Sequence, residues 1–246
     1  MKAPIVSYGP FLDAAARNAA IIAAYHDALR AAPAELPPRW WASRLAYIDY
    51  QVWKYAASGM HACLEHGLPG PDDTGGHCRR VARLAAAITG RLTAPPGEHR
   101  EQKARQNIAY LAGLLHDVGK LRTVLLSYTP GRLTDEERKL MQGHTRAGFC
   151  ICAAAEMPAE ICAAALQHHE RLDGSGYPDG LRGDSIQPLA RVVAVADVFD
   201  ALTSDRVYRR GMQPAAAFEQ MQNESGHDQA ALAALKIVVR SGGVRR

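Results

Sequence analysis

The sequence predicts an all-α protein. Alanine, which has the highest helix propensity, is abundant, and apolar residues recur at steps of three and four in several segments. Segment 134–137 reads Thr-Asp-Glu-Glu, in which Thr134 has the place of an N-cap and Glu137 that of its capping-box partner. With 246 residues and a hydrophobic content of 48%, the chain is long enough for one large domain, or for one domain and a smaller one.

The first 71 residues are expected to form a short helical N-terminal segment. Helices are predicted over about residues 11–32 and 40–66, because prolines at 33, 37 and 38 break the pattern between them. The second helix is rich in aromatic side chains. We expect these to pack in a core, with a dimer-forming helix face as the alternative; they are Trp40, Trp41, Tyr47, Tyr50 and Trp53.

Residues 72–240 are expected to form the main domain, which begins with two helices. The first is predicted to open at His77, and the second to end at the doublet His116-Asp117. Both predictions rest on apolar residues at helical spacing, which are Val81, Leu84, Ala85, Ile88 and Leu92 in the first helix and Ile108, Leu111, Leu114 and Leu115 in the second.

The middle of this region contains two more predicted helices. The capped helix that starts after Thr134 is expected to carry His144. Another is expected to start near Pro158 and to end at the pair His168-His169, since proline is favoured in the first turn of a helix.

The last part of the region starts with a loop. Glycines and a proline within residues 173–184 predict this loop. Pro188 is expected to begin a helix that carries Asp197 and Asp200, and two amphipathic helices are expected to close the chain.

Composition excludes several classes of protein. The formal charge of +4 suits an anionic substrate but does not indicate a DNA-binding protein. No apolar stretch is long enough to span a membrane, and the first residues do not have the pattern of a signal peptide. The five cysteines are odd in number and include no CxxC pair, so we expect reduced thiols and a cytoplasmic protein.

The chain contains a series of metal-binding residue types in a fixed order. Imidazole and carboxylate groups are the side chains that hold Fe, Mn or Zn. A single histidine in this sequence would be interpreted as a structural residue. The whole ordered series is therefore what indicates a metal site. Its members are His77, His116, Asp117, His144, His168, His169 and Asp197.

The order of these residues resembles the HD phosphohydrolase superfamily. The run from His168 to Pro178, which contains Gly176-Tyr177-Pro178, narrows the resemblance to the HD-GYP family of cyclic-dinucleotide phosphodiesterases. Segments 115–120 (LHDVGK) and 195–206 (VADVFDALTSDR) also match, and the resemblance covers about residues 72–240. It implies an HD-domain helical bundle with a C-terminal GYP extension.

The resemblance implies a centre of two divalent metal ions, most often Fe or Mn, with Asp117 bridging them. One ion would be completed by His77, His116 and Asp197, and the other by the remaining three histidines, which are His144, His168 and His169. Asp73, four residues before His77, stands where part of the family has a Glu that helps to hold a third ion. A third-metal ligand and an exposed turn carboxylate are both open for Asp73.

The same resemblance assigns roles around the metals. Lys120 lies one helical turn after Asp117 and would stabilise charge on a phosphate oxygen, with a solvated helix-end lysine as the alternative. Glu170 would orient a ligand histidine, or would be a helix-end carboxylate. Predicted substrate contacts are Arg206, Arg209, Tyr177 and Pro178, since guanidinium groups suit phosphate oxygens and the guanine edge.

We therefore expect a phosphodiesterase that hydrolyses cyclic di-GMP to linear pGpG, with linear pGpG and GMP both open as the final product. The family's usual Lys-Pro-Gly turn reads Thr129-Pro130-Gly131 here, which motivates a second hypothesis with another substrate, cyclic GMP-AMP. A third hypothesis is a non-catalytic nucleotide-binding or adaptor protein. A protein partner bound through the GYP loop and a homodimer are further expectations of the resemblance.

Overall fold

The computed structural model describes residues 74–92, 99–122, 133–205 and 210–241. The predicted N-terminal helices lie outside this range, as do Asp73, Arg206, Arg209 and the turn at 129–131. The predicted all-α class is confirmed, because the described residues form helices and no strand beyond an isolated bridge between Asp173 and Arg182. Within the same residues, no helix is long and apolar enough to cross a membrane.

The helices of the described residues follow one another in this order: α1 Thr74–Leu92, α2 His99–Leu115, a 3₁₀ turn Val118–Arg122, α3 Asp135–Gln142, α4 His144–Ala154, α5 Ala159–Gln167, a 3₁₀ turn Gly183–Ser185, α6 Pro188–Thr203, α7 Pro214–Asn223 and α8 Gln229–Arg240. Helix α1 begins three residues before His77. Its first turn contains Gly75 and Gly76, which have poor helix propensity, and for that reason the sequence pattern missed this turn.

Helix α3 starts as predicted but ends earlier. The Thr134 hydroxyl accepts a hydrogen bond from the Glu137 N–H at 3.2 Å, and the Glu137 carboxylate accepts one from the Thr134 N–H at 2.8 Å. The expectation that this helix carries His144 is wrong. Gly143 closes α3 with a 3.0 Å bond from its N–H to the Leu140 carbonyl, and His144 opens the next helix, α4.

The packing of the helices brings distant parts of the chain together. Helix α1 packs against α2, α6 and α8, while α5 packs against α2, α4 and α6. Gly113 permits the close approach of α1 and α2, since a Cβ at this position would lie 2.7 Å from the Cα of Ala82. The apolar core between these helices is fully buried and includes Val81, Ile88, Leu111, Leu115, Ile161, Val193 and Leu235.

A second close approach fixes the 3₁₀ turn that follows α2. A Cβ on Gly119 would lie 1.9 Å from the His144 carbonyl oxygen and 2.4 Å from the Gly148 nitrogen. Only glycine therefore allows this turn to lie directly on the first turns of α4. The contact holds the segment of Asp117 and Lys120 against the helix that begins with His144.

We predict that Gly119→Ala lowers the free energy of unfolding by about 1–3 kcal/mol, because the added methyl group forces two backbones apart. Denaturant unfolding of the metal-free protein measures this. Gly148→Ala is the matched control. Its Cβ would meet the nearest atom, the Ala165 Cβ, at an ordinary 3.5 Å, so that variant should be neutral or more stable. Equal stability of Gly119→Ala and Gly148→Ala would contradict this account.

Candidate metal centre

The structure brings all seven residues of the predicted ligand series together at one end of the helices. His77 lies in the first turn of α1, and Asp197 lies in the second half of α6. The other five follow or open helices: His116 and Asp117 come directly after α2, His144 opens α4, and His168 and His169 follow α5. Residues separated by up to 120 positions in the chain thus share one centre.

The ligand atoms form two groups that have Asp117 in common. In the first ligand group, which is His77, His116 and Asp117, one donor atom of each residue lies within 4.8 Å of the others. The second ligand group meets the same limit and consists of Asp117, His144, His168 and His169. A carboxylate has two oxygens, so Asp117 is able to serve both groups.

The two oxygens of Asp117 divide between the groups. Oδ2 lies 3.3 Å from the His116 Nε2 and 3.9 Å from the His77 Nε2. Oδ1 lies 3.4 Å from the His144 Nε2 and 3.7 Å from the His168 Nε2. Each oxygen therefore faces one set of imidazoles, which is the arrangement that a bridging carboxylate requires.

Asp197 adds a second carboxylate to the centre. Its Oδ1 lies 3.1 Å from the His77 Nε2 and 3.8 Å from the His116 Nε2. Its Oδ2 lies 4.0 Å from the His169 Nδ1. Asp197 thus lies nearest to the first ligand group and also borders the second.

Three of the ligand histidines are oriented by the helix that precedes them. The Nδ1 of His116 bonds the Gly113 carbonyl at 2.7 Å, and the Nδ1 of His144 bonds the Met141 carbonyl at 2.7 Å. His168 similarly shares its Nδ1 between the carbonyls of Ala164 and Ala165, at 3.1 Å each. All of these acceptors lie in the last turn of a helix, so the end of the helix fixes the orientation of each ring.

This orientation leaves electron pairs facing the centre. A carbonyl only accepts hydrogen bonds, so each Nδ1 carries the proton and each Nε2 presents a lone pair. The Nε2 atoms of His144 and His168 lie 3.3 Å apart, where two lone pairs repel unless a cation lies between them. Within the described residues, the buried His116 Nε2 and Asp117 Oδ1 have no hydrogen-bond partner. The donor set therefore fits divalent metal ions of the imidazole-binding type.

Electrostatic interactions keep the carboxylates of Asp117 and Asp197 ionised. Burial alone would raise the pKa of Asp117, but the Lys120 ammonium group and the nearby His116 hold it well below its usual range. Lys120 contacts the Asp117 Oδ2 at 2.6 Å. Burial opposes the charge of Lys120 too, yet the Asp117 carboxylate outweighs burial and raises the pKa of Lys120.

His77 differs in charge from the imidazoles of the second ligand group. Burial lowers the pKa of His144 to about 4, and it also lowers the pKa of His168 and His169, so these rings are neutral at physiological pH. Burial acts in the same direction on His77. There, however, hydrogen bonds to the carboxylates of Asp197 and Asp200 outweigh it and raise the pKa to about 9 in the metal-free protein.

The loop that contains Tyr177 covers the second ligand group. The Tyr177 ring stacks on the His169 ring with a centroid distance of 4.6 Å and an interplanar angle of 28°. The Tyr177 N–H also bonds the His169 carbonyl at 3.2 Å, and the peptide bond from Tyr177 to Pro178 is cis. One face of the tyrosine ring is thus occupied by a ligand histidine.

Glu170 supports the loop, which differs from the expectation that it orients a histidine ring. Its carboxylate is buried and accepts the backbone N–H groups of Asp179 at 2.8 Å and Leu181 at 3.0 Å. The chain turns back at Gly176, where a Cβ would lie 2.4 Å from the Glu170 Cα. Glu170 therefore acts on the centre through the loop, because that loop positions Tyr177.

Two residues at the centre were not predicted as site residues. The Asp200 carboxylate accepts a 2.8 Å hydrogen bond from the His77 Nδ1, and Arg80 donates to the same carboxylate from Nε at 2.6 Å. The available signal was the spacing of Asp197 and Asp200, which places two carboxylates on one face of a helix. The predicted residues Asp73, Arg206 and Arg209 lie outside the described residues.

Comparison with known proteins assigns the chain to a family. The family model described as HD domain matches residues 74–230, so the chain belongs to the HD domain family. The resemblance drawn from the motifs is confirmed by this match and by relatives whose names state that they act on cyclic dinucleotides.

Three similar proteins illustrate the relationship. A cyclic di-GMP phosphodiesterase of Pseudomonas aeruginosa is 40% identical over 153 residues, covering 61% of this chain and 35% of that protein. A 3′3′-cGAMP-specific phosphodiesterase of Vibrio cholerae is 39% identical over 137 residues, covering 55% and 30%. The chain thus spans roughly a third of the length of these curated relatives. The solved structure of an HDG"Y"P protein from Bdellovibrio bacteriovorus, 18% identical, shares the fold with a TM-score of 0.56 over 91% of this chain and 70% of that one.

We predict that metal uptake by the first ligand group releases about one proton from His77 at about pH 7.5, since a metal binds only the neutral imidazole. With a metal-free pKa of about 9, His77 is protonated at this pH, whereas the neutral His144 releases none. Titration calorimetry with Mn(II) in buffers of different ionisation enthalpy counts the protons. The release should vanish in His77→Ala and should fall progressively in the wild type as the pH rises through about 9; an unchanged release in that variant would contradict the assignment.

We also predict that Tyr177→Ala weakens metal binding by about 10–100-fold, because the stacked ring that holds His169 is lost. Tyr177→Phe retains the ring and should bind metal as the wild type does. Mn(II) binding isotherms of the two variants make the comparison. Equal affinities in the alanine and phenylalanine variants would show that the stacked ring does not support the centre.

Proposed function

We propose that this chain is a metal-dependent phosphodiesterase that hydrolyses cyclic di-GMP to linear pGpG, and further to GMP, as part of bacterial second-messenger signalling. The proposal rests above all on the position of Asp117, whose two oxygens face two separate sets of imidazoles. A site for one structural metal does not need a shared carboxylate. A shared carboxylate instead suits a pair of metal ions, which can stabilise both the attacking and the leaving oxygen in phosphodiester hydrolysis.

The proposed cofactors are two divalent ions, Fe or Mn, one in each ligand group. Asp117 would hold both, with His77, His116 and Asp197 around one and the three remaining histidines around the other. Such ions neutralise phosphate oxygens and make water a nucleophile at neutral pH. The role of Asp73 in holding a third ion stays a prediction.

Lys120 is the proposed electrostatic residue of the reaction. Its ammonium group lies beside Asp117 at the edge of the centre, and about a third of its side chain is exposed. From this place it can donate a hydrogen bond to a phosphate oxygen whose negative charge increases in the transition state. Water attacks phosphorus in line, the bond to the 3′ oxygen breaks, and that oxygen leaves with a proton.

The proposed substrate contacts are Arg206 and Arg209, together with the loop of Tyr177 and Pro178. Tyr177 lies beside the second ligand group, so its exposed edge can form one wall of a substrate cleft. Burial raises the pKa of its hydroxyl, which therefore remains a neutral hydrogen-bond donor at physiological pH. We propose residues 72–240 as the catalytic domain and residues 1–71 as an extension, with the GYP loop as a candidate protein contact.

A second candidate substrate is 3′3′-cyclic GMP-AMP. Relatives named for each dinucleotide have nearly equal identity to this chain, at 40% and 39%, and Thr129 replaces the cation expected before the Pro-Gly turn. Side-by-side turnover of the two dinucleotides, with Fe(II) or Mn(II) and anaerobically purified protein, decides between them. Bound metal with no turnover of either would instead favour a binding or adaptor protein.

We predict that Asp117→Ala abolishes turnover and removes metal from both ligand groups, because the shared ligand is lost. Hydrolysis measured by chromatography and metal content measured by plasma mass spectrometry test this, with circular dichroism confirming the fold. Asp135→Ala, at a side chain that is 90% exposed on α3, is the matched control and should keep wild-type turnover. Near wild-type hydrolysis by Asp117→Ala would contradict the proposed mechanism.

A further inference from the structure

Among the ligand histidines, His77 has a different local environment. His116, His144 and His168 follow helix C-termini and donate from Nδ1 to carbonyls in the last turns of those helices. His77 lies in the first turn of α1, where the free backbone groups are N–H donors. A helix start thus offers no free carbonyl for its Nδ1–H, so the acceptor must come from another part of the fold.

Asp200 on α6 supplies this acceptor. Its Oδ2 accepts the His77 Nδ1–H at 2.8 Å and a bond from the Arg80 Nη2 at 3.1 Å. Its Oδ1 accepts the Arg80 Nε at 2.6 Å and the Ser204 hydroxyl at 3.2 Å. The side chain is 5% exposed and both oxygens are engaged, so Asp200 is held in place as an acceptor and is not available as a metal ligand.

The two aspartates of α6 therefore contact different nitrogens of the same imidazole ring, that of His77. Asp197 faces the Nε2 of His77 from inside the centre, at 3.1 Å. Asp200, one turn later, holds the opposite nitrogen. Because a carboxylate only accepts, this bond keeps a proton on Nδ1, so Nε2 is the nitrogen that faces the first ligand group and gives up its proton when a metal binds.

We propose that Asp200, itself held by the Arg80 guanidinium, is the positioning residue that makes the first ligand group competent to bind metal. The inference builds on the metal centre of the proposed function, but it concerns metal binding and not hydrolysis. It assigns Asp200 an effect on the ion held by His77, and none on the ion held by the second ligand group.

The alternative is that Asp200 and Arg80 only fasten α6 to α1. A double-mutant cycle separates the two readings, because a fastening role does not need His77. Mn(II) binding is measured by calorimetry for the wild type, Asp200→Ala, His77→Ala and the double variant. We expect Asp200→Ala to weaken the first ligand group about 10–100-fold and to have no further effect once His77 is absent.

Three more variants serve as controls. Val193→Ala removes buried apolar contacts of α6 without touching the centre, and should lose stability but keep both ions. Asp200→Asn keeps an oxygen acceptor for His77 and should recover part of the affinity. His144→Ala disables the second ligand group, and the effect of Asp200→Ala should persist in that background.

The inference is overturned if folded Asp200→Ala binds both ions with wild-type affinity, or if its effect is equally large in His77→Ala. It is also overturned if both ligand groups weaken to the same extent, or if the wild type holds no ion at the first ligand group. A wild type that binds two ions but hydrolyses neither dinucleotide would refute the proposed function and leave this inference standing.

Discussion

The buried carboxylate of Asp117 is the constraint on which the rest of the structure depends. An anion that is 2% exposed costs several kcal/mol unless positive charge surrounds it. The fold supplies positive charge from Lys120 in the next 3₁₀ turn and from His77 in α1. The neutral imidazoles of His144 and His168 face the other Asp117 oxygen as metal-binding groups. The imidazoles of His77, His116, His144 and His168 each place Nε2 within 3.9 Å of one of the two Asp117 oxygens.

Helix ends orient most of the ligands. Three of the histidines directly follow a helix, and each donates from Nδ1 to a carbonyl of that helix. One hydrogen bond thereby caps the helix and selects the tautomer that binds metal. Gly143 contributes by ending α3 one residue before His144, which places that ring beside the Met141 carbonyl. The ends of these short helices therefore orient the imidazoles of the centre directly.

The sequence pattern predicted the all-α class, and the family resemblance predicted that the seven residues of the His and Asp series belong to one centre; the structure brings these seven side chains together. Apolar spacing identified most helices, and the Thr134 capping box located the start of α3. Gly143 was overlooked because glycine within a helical pattern signals a break only weakly. The extra turn of α1 was missed because two glycines precede His77.

The contacts that Glu170 and Asp200 make around the centre could not be predicted from the sequence. Glu170 follows the His pair in the chain, which suggested a bond to a ring, but its carboxylate reaches the backbone of Asp179 and Leu181. That contact depends on how the loop folds back at Gly176. The pairing of Asp200 with Arg80 and His77 joins residues about 120 positions apart, and only the packing of α1 on α6 brings them together.

The most direct test of a bridged metal pair is anomalous X-ray diffraction from crystals grown with Mn(II), recorded at the manganese edge. The account predicts two peaks, one on each side of Asp117, with His77 and His116 at one and His144 and His168 at the other. A single peak, or two peaks that do not share Asp117, would contradict it.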